Sequence, residues 1–425
     1  MLPALERRVV VCVGCGGVGK TTVAAAIALE AARAGRRALV LTIDPARRLA
    51  DALGVGALGN QPKAIPRESL DALGVPAEGE MWAMMLDMKR TFDDLVERFA
   101  ESPEARDRVL ANPIYRHVSD ALAGSVEYSA MEKVYELQEA GAFDTLVVDT
   151  PPSQHALDFL EAPERLLEFL DSRLVQFWIH PAMAAGRVGM RWFQWGSRRV
   201  LHLIERVTGI GFLEDISEFL LAFEHMSEGF RDRARRVRSL MFGPDAAFVL
   251  VSSAETESVK QTQRFLERLE AGGVHVAGLV ANRVRVWPGA GPVWSGAAGA
   301  ADEEALAAAL AADADAAFPA RDAARAAIAA AARYAALVRR DAEALSALRE
   351  QTRGRNPQEP RDRQDRFFRV VPELSGDVHD LAGVAHVAAS LASTDGAVIP
   401  QEEPMTRRAT PSGESGGAGR GTASA

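Results

Sequence analysis

The sequence predicts an α/β protein with a doubly wound, mostly parallel β-sheet and an inserted helical subdomain. Three observations support this fold class. Short apolar runs rich in β-branched residues recur along the chain, stretches typical of α-helices separate them, and one long helical block interrupts the alternation. Strands that alternate with helices in this way are typical of a parallel sheet that is covered by helices on both faces.

The first fifty residues are predicted to form a strand, a glycine-rich loop, a helix and a second strand. Residues 8–14 are a mostly β-branched run, as expected of a strand that is buried on both faces. Residues 24–34 are rich in alanine and leucine and predict a helix that stops before Gly35, and residues 37–43 predict the second strand. Later strands are predicted at 145–149, 247–252, 275–282 and 367–371.

The same pattern divides the chain into six segments. They are a first part of the sheet domain at 1–160, a helical insertion at 161–245, a second part of the sheet domain at 246–287, an alanine-rich helical insertion with linker at 288–365, a last strand and helix at 366–392, and a tail at 393–425. The tail is rich in Gly, Ser, Thr and Pro, which predicts disorder.

The composition excludes several classes of protein. Of 425 residues, 48% are hydrophobic and 25% are charged, which is typical of a globular chain and unlike a disordered or collagen-like one. A net charge of −9 argues against a nucleic-acid partner, because nucleic-acid phosphates attract basic surfaces. The two cysteines cannot build a disulfide framework, and no apolar run approaches the length of a membrane span, so we expect a cytoplasmic protein.

Residues 14–21 read GCGGVGKT and satisfy the pattern G-x-x-x-x-G-K-[ST] between a predicted strand and a predicted helix. That context predicts a P-loop, whose backbone N–H groups bind phosphate, whose lysine reaches the β- and γ-phosphates, and whose threonine hydroxyl binds Mg²⁺. The predicted ligands are therefore ATP and Mg²⁺, and a glycine-rich turn unrelated to nucleotides is the alternative. The predicted nucleotide contacts are Gly14, Gly16, Gly17, Val18, Gly19, Lys20, Thr21 and Thr22, of which Lys20 is also catalytic and Thr21 also binds the metal.

Two aspartates follow predicted strands at the edge of the sheet where a P-loop binds its nucleotide. Asp44 follows the second strand and is predicted to be catalytic, by orienting or deprotonating the water that attacks the γ-phosphorus. A cap of the following helix is the alternative role for Asp44. Asp149 ends an apolar strand of the Walker B kind and is predicted to hold the Mg²⁺ shell through water.

Together these motifs resemble the ArsA/GET-type ATPases, which include the arsenical pump-driving ATPase and the eukaryotic ATPase that targets tail-anchored membrane proteins. The family pattern GKGGVGKTT matches residues 14–22 at all but one position. The two switch motifs of the family are matched by Asp44, Pro45, Ala46, Leu49 and Asp51, and by Asp149, Thr150, Pro152, His155 and Leu157. The resemblance covers about residues 8–285 and 366–392, and it implies a SIMIBI-type P-loop fold with a deviant Walker A motif.

The resemblance also implies further site residues and a dimer. Asn282 looks like the asparagine that reads the adenine, and residues 370–376, which include Pro372, look like the proline loop on the adenine side. Members of the family form a nucleotide-sandwich dimer that opens and closes with the ATP cycle. Their deviant Walker A lysine crosses to the partner's nucleotide, but this chain has Cys15 there, whose side chain is too short and, when protonated, neutral.

Two assemblies follow from the missing lysine, and the sequence leaves both open. Either a homodimer hydrolyses ATP slowly, or an ArsA-like paralogue that carries the lysine supplies it in a heterodimer. The thiol cluster of arsenite-responsive members and the zinc-binding CxxC of the targeting factor are both absent. Cys12 and Cys15 do have CxxC spacing, but they fall in a predicted buried strand and in the loop, so two small side chains that fit are the favoured interpretation.

The helical block contains residues in the region where targeting members form a groove for a transmembrane helix. They are Met183, Met190, Trp192, Phe193 and Trp195, and a packed helical core is the alternative explanation. The sequence therefore predicts a dimeric, Mg²⁺-dependent ATPase that acts as a switch on a hydrophobic protein client or a membrane protein. The alternative function is a nucleotide-binding regulatory subunit with little turnover of its own.

Overall fold

The computed structural model describes residues 2–44, 48–112, 115, 125–151, 228–288, 293, 299–312, 319–352 and 366–393. Their centre is an eight-stranded sheet with the strand order β3-β4-β2-β5-β1-β6-β7-β8. The strands are β1 Val9–Gly14, β2 Arg37–Thr42, β3 Lys63–Ala64, β4 Glu80–Met85, β5 Thr145–Asp149, β6 Ala246–Ser253, β7 Val276–Val284 and β8 Phe367–Pro372. All neighbouring pairs are parallel except β3 with β4.

Helices follow most of the strands. They are α1 Lys20–Arg33, α2 Arg48–Leu53, α3 Arg67–Ala72, α4 Met88–Phe99, α5 Pro103–Ala111, α6 Ser125–Ala140, α7 Thr256–Ala271, α8 Ala300–Ala311, α9 Ala320–Thr352 and α10 Leu381–Ala392. Residues 228–241 are also helical, and a 3₁₀ turn at Pro3–Glu6 precedes β1. Among the described residues, no helix is both long enough and apolar enough to cross a membrane.

The side chains of β1 alternate between two apolar cores, one on each face of the sheet. Val9 and Val11 pack in the core that also receives residues of α4, α6 and α7. Val10 and Cys12 pack in the core on the other face, which is formed with α1, α2 and α10. Because both faces are covered, a polar residue at any of these positions would be buried, which explains the unbroken apolar run in the sequence.

The structure confirms the predicted fold class, and it contains strands at all six predicted places. It adds two strands that the sequence pattern did not predict, β3 and β4. The residues of β4 read EMWAMM and include no β-branched side chain, and methionine and alanine favour helices by intrinsic propensity. The segment is a strand because it pairs in parallel with all six residues of β2, a contact that local propensity does not encode.

The long predicted insertions are described only in part. Of the predicted insertion at 161–245, residues 161–227 lie outside the described residues. Residues 228–241 of the same insertion are helical. The alanine-rich stretch of the segment 288–365 forms α8 and α9. The tail beyond Ser393 also lies outside the described residues, so the six segment boundaries remain predictions.

Candidate functional site

The glycine-rich loop joins β1 to α1 at the carboxyl edge of the sheet, and two of its glycines are required by their surroundings. A β-carbon at Gly14 would lie 2.1 Å from the carbonyl oxygen of Val251 on β6. Gly19 has a φ of +88°, and a β-carbon there would lie 2.2 Å from the side-chain nitrogen of Asn282. Only glycine therefore fits at both positions, which holds the loop close to β6 and β7.

The amino terminus of α1 points its first backbone N–H groups out of this loop. Gly19 occupies the N-cap position and has no side chain with which to cap them. The first turn carries Lys20, Thr21 and Thr22. An uncapped helix start that follows a glycine-rich loop is suited to bind an anion, because its N–H groups and its dipole both favour negative charge.

Lys20 is folded back onto the loop. Its Nζ donates a hydrogen bond of 2.9 Å to the carbonyl oxygen of Cys15, and the residue is buried. Burial lowers the pKa of the Lys20 ammonium, whereas the nearby carboxylates of Asp149 and Asp44 act in the opposite direction. The ammonium is thus enclosed by the same backbone that the motif assigns to phosphate binding.

Thr21, Thr42 and Asp149 form a hydrogen-bonded cluster beneath the loop. The hydroxyls of Thr21 and Thr42 donate to Oδ2 of Asp149, at 2.7 and 2.9 Å. The cluster forms because β2 and β5 are paired in register, which places Thr42 opposite Asp149 at the ends of the two strands. Burial raises the pKa of the Asp149 carboxyl to about 6, although the two hydroxyls and Lys20 favour its charged form.

This cluster fits a magnesium ion. Oδ1 of Asp149 is buried and has no hydrogen-bond partner within the described chain, so the carboxylate can accept one more donor such as a metal-bound water. Mg²⁺ prefers hard oxygen ligands and keeps several waters while one or two protein groups and the substrate phosphates hold it. The described residues contain no group of three or more His, Cys, Asp or Glu side chains arranged for a metal.

Asp44 lies just beyond the end of β2, and its side chain is 26% exposed. Its backbone N–H donates to the hydroxyl of Thr42 at 3.2 Å, and its carboxylate lies 3.9 Å from the guanidinium of Arg48. The Thr42 hydroxyl therefore links Asp44 to Asp149. The carboxylate itself faces the cavity described next.

A cavity of about 740 Å³ opens at this edge of the sheet. It brings together most of the residues that the sequence assigned to the site, namely Gly17, Gly19, Lys20, Thr21, Thr22, Asp44, Asn282 and Pro372. Gly16 and Val18 line a neighbouring cavity of about 400 Å³ instead, together with Cys15. Gly14 lines neither cavity, and Asp149 is only 1% exposed and reaches the larger one through Thr21.

Asn282 at the end of β7 braces the loop from the side. Its Nδ2 donates a 2.8 Å hydrogen bond to the carbonyl oxygen of Val18, and only 6% of the residue is exposed. Pro372 ends the adjacent strand β8 and lies on the same cavity. The segment after it adds His379 to the lining. Asn282 therefore contacts the glycine-rich loop and also lines the cavity.

Three residues at the site were not assigned a role from the sequence. Thr42 is the polar residue that ends the buried strand β2, and this position was the available signal. Arg283 follows Asn282 directly and donates to the carbonyl oxygen of Gly17 at 3.2 Å. His379 lies past the proline loop, where no pattern in the sequence indicates that the chain returns to the cavity.

The two cysteines form no disulfide, and Cys12 is fully buried in β1. Burial and the neighbouring Asp149 raise the pKa of the Cys12 thiol well above its ordinary value. A thiol that holds its proton this tightly is a poor metal ligand and a poor nucleophile. The CxxC spacing is therefore explained by packing.

Residues 7–288 match the sequence model of the family described as anion-transporting ATPase. The chain belongs to the anion-transporting ATPase family. The match includes the loop, Asp44, Asp149 and Asn282, and it confirms the resemblance on which the sequence analysis rests. Membership in a family of ATPases implies that the chain binds a nucleotide.

Individual relatives in this family are distant. ATPase get3 of Schizosaccharomyces japonicus is 25% identical over 277 residues, which are 65% of this chain and 74% of that protein. ATPase GET3 of Malassezia globosa is 26% identical over 275 residues, 64% of this chain and 71% of that protein. A protein of Halobacterium salinarum that carries the provisional name arsenical pump-driving ATPase is 33% identical over 175 residues, which are 40% of this chain but only 26% of that protein.

Parts of two motifs and the predicted groove lie outside the described residues of this family member. They are Pro45, Ala46, Pro152, His155 and Leu157 of the switches, and Met183, Met190, Trp192, Phe193 and Trp195 of the helical block. Leu49 and Asp51 are described and lie in α2, where Asp51 faces the larger cavity. The choice between a client groove and a packed core therefore remains a prediction.

Proposed function

We propose that this protein is a Mg²⁺-dependent ATPase of the ArsA/GET type that works as a cytoplasmic dimer. One arrangement supports the proposal most strongly. A P-loop with an uncapped helix start, a hydroxyl–carboxylate pair and an aspartate that follows a strand all converge on one cavity. Phosphate binding, metal binding and water activation are the three tasks of nucleotide hydrolysis, and each has a suitable group here.

The proposal assigns a role to each group of the site. The loop N–H groups and the start of α1 hold the phosphate chain, and the Lys20 ammonium neutralises the charge on the β- and γ-phosphates. Thr21 and, through water, Asp149 hold the metal, which supplies further charge neutralisation on the phosphates. Asp44 lines the cavity, where its carboxylate accepts a hydrogen bond from the attacking water and orients it.

The remainder of the proposal rests on the family resemblance. Two copies of the chain close over the nucleotides, and the open and closed forms present different surfaces to a hydrophobic protein client or a membrane protein. We take the homodimer as the working assembly, because it needs no second gene product. A nucleic-acid partner does not fit the net charge of −9.

Substitution of Asp44 tests the catalytic part of the proposal. Asp44→Asn keeps the shape of the side chain but attracts the water less strongly and accepts no proton. We expect ATP to bind as in wild type and single-turnover hydrolysis to fall by about 10²–10⁴-fold. Asp94→Asn on α4, which lies away from the cavity, is the matched control and is expected to hydrolyse ATP normally. Hydrolysis by Asp44→Asn within a few-fold of wild type contradicts the role of Asp44.

A second function is favoured by one observation, namely that Cys15, whose side chain carries no positive charge, stands at the position of the deviant lysine. In that case the chain binds ATP as a regulatory subunit and turns over very little. The two functions are distinguished by the purified wild-type protein. Sustained multiple turnover that stops in Asp44→Asn supports the enzyme, whereas tight ATP binding without phosphate release supports the regulatory subunit.

A further inference from the structure

The strand β7 is irregular next to the phosphate loop. Its pairing with β8 runs from Ala281 opposite Val370 to Val284 opposite Pro372, so two residues of β7, Asn282 and Arg283, face a single residue of β8. Such bulges redirect side chains and are common beside functional sites. Here the bulge turns the chain at the rim of the cavity.

Arg283 has a left-handed backbone, with φ of +58°. It is the one non-glycine residue with positive φ in the described part of the chain. A side chain with a β-carbon is strained in this region, and such strain persists where the surrounding structure and a function require it. Glycine at this position would relieve the strain, so the presence of arginine calls for a reason in its side chain.

The guanidinium of Arg283 is exposed and lies at the phosphate loop. Its Nη1 donates to the carbonyl oxygen of Gly17 at 3.2 Å, and the residue lines both the larger cavity and its neighbour. Among the described residues, no carboxylate forms an ion pair with it. Arg285, two residues later, differs in this respect because it pairs with Asp341 and Glu373.

We propose that Arg283 binds the phosphate chain of the nucleotide from within the same chain, and so supplies at the loop a positive charge that Cys15 does not carry. The inference rests on the proposed function. A guanidinium has five N–H donors in a planar fork, so it can keep its bond to Gly17 and direct other donors to phosphate oxygens. Arg48, the other guanidinium on the cavity, lies beside Asp44.

The test compares the affinities of ATP, ADP and AMP by calorimetry. Arg283→Gln removes the charge, Arg283→Lys keeps it, and Arg90→Gln on α4, an exposed arginine that does not line the cavity, is the matched control. Loss of a charged hydrogen bond predicts that Arg283→Gln binds ATP at least about tenfold more weakly. The loss is expected to be smaller for ADP and absent for AMP, to be partly restored in Arg283→Lys, and to diminish in high salt.

A purely structural brace of Gly17 gives a different result. It predicts equal losses for the three nucleotides, no dependence on salt and no rescue by lysine, and this pattern overturns the inference. Wild-type affinities in Arg283→Gln overturn it as well. A third variant, Arg283→Gly, separates strain from function, because we expect it to melt at or above the wild-type temperature and still to bind ATP weakly. If wild-type protein binds no ATP, the proposed function itself fails, and the two failures are therefore distinguishable.

Discussion

Lys20 is buried beside the backbone carbonyl of Cys15 and near the carboxylates of Asp149 and Asp44. The charge of its ammonium depends on these neighbours. Burial lowers the pKa of the ammonium, but Asp149 and Asp44 lie near enough to favour the charged form. An ammonium that replaces its contact with the Cys15 carbonyl by contacts with phosphate gains a stronger, charge-assisted partner. In the function proposed above, this side chain couples the loop to the charge of the nucleotide.

We therefore expect Lys20→Ala to bind ATP at least about 10- to 100-fold more weakly than wild type, the range that loss of a charged hydrogen bond predicts. Isothermal titration calorimetry measures the affinity directly. Lys260→Ala on the exposed surface of α7 removes the same charge from a residue that lines neither cavity, and it serves as the control. If Lys20→Ala binds ATP as tightly as wild type, the assignment of the loop as a P-loop is wrong.

Asp149 makes the stability of the protein depend on pH. Its pKa is raised by burial from 3.8 to about 6, so the folded protein holds this proton more tightly than the unfolded chain. The resulting stabilisation is complete below the unfolded pKa and is lost as the pH rises through about 6. In Asp149→Asn, the group cannot ionise and the dependence disappears.

The prediction compares the free energies of unfolding of the metal-free wild type and of Asp149→Asn. The wild-type value minus the variant value is expected to fall by on the order of 3 kcal/mol between about pH 4 and about pH 7. Urea titrations at a series of pH values measure this difference, in which the other titrating groups cancel. ATP with Mg²⁺ should reverse the trend, because bound metal favours the ionised carboxylate. A difference that does not change with pH contradicts the raised pKa.

At the scale of elements, the sequence predicts the strands and helices that a local pattern of apolar residues identifies. The β1 run is apolar throughout because both faces of the strand are buried, and that pattern is visible in one dimension. β4 was missed because it is a strand only by virtue of its pairing with β2. Strands that pair lie far apart in the chain. The helix-favouring residues of β4, such as Met84, therefore do not indicate that this segment pairs with β2.

The same distinction explains what was predicted of the site. The loop, Asp44 and Asp149 stand in contiguous motifs and could be assigned a role without a structure. Thr42 acquires its contact with Asp149 only through the register of β2 against β5. Arg283 reaches Gly17 only because of the bulge in β7, and no short motif reports a bulge.

Helix α10 shows that an element at the end of the chain helps to build the site. Val384, Val387 and Leu391 pack against α1 in the core on one face of the sheet, and Val387 also lines the larger cavity. Asp380 caps the helix by accepting a hydrogen bond from the N–H of Gly383. Burial of each of these three large side chains contributes about 1.5–3 kcal/mol.

A chain ended after Ser393 keeps α10, whereas a chain ended after Asp380 lacks it. We expect the first to melt and to bind ATP as the 425-residue chain does, since it removes only the tail that is predicted to be disordered. The second is expected to lose several kcal/mol of stability and most of its ATP affinity. Thermal melts and calorimetry on the pair measure both effects. Weakened ATP binding by the chain ended after Ser393 contradicts the prediction that the tail is disordered and can be removed without effect.

At the scale of the whole molecule, the proposed dimer raises the question whether two copies of the chain complete each other's sites. Cys15 is 7% exposed and packs in the core beside α1, and its neighbouring cavity of about 400 Å³ also contains Glu255 and Glu257. A lysine at this position therefore has room to extend. It also has carboxylates of its own chain nearby, which attract the ammonium away from a partner subunit.

Cys15→Lys tests whether the missing charge limits turnover in the dimer. If the chain works as the ArsA/GET-type dimer, the new ammonium stabilises the transition state on the facing nucleotide, and the steady-state ATPase rate of the isolated chain rises. The increase should appear only at protein concentrations where dimers form, and Cys15→Met, which is neutral, should not produce it. In Cys15→Lys with Glu255→Gln the increase should be larger, because one competing carboxylate is removed. A rapid wild-type homodimer whose rate is unchanged by Cys15→Lys, with ATP binding intact, shows that the charge at residue 15 is dispensable.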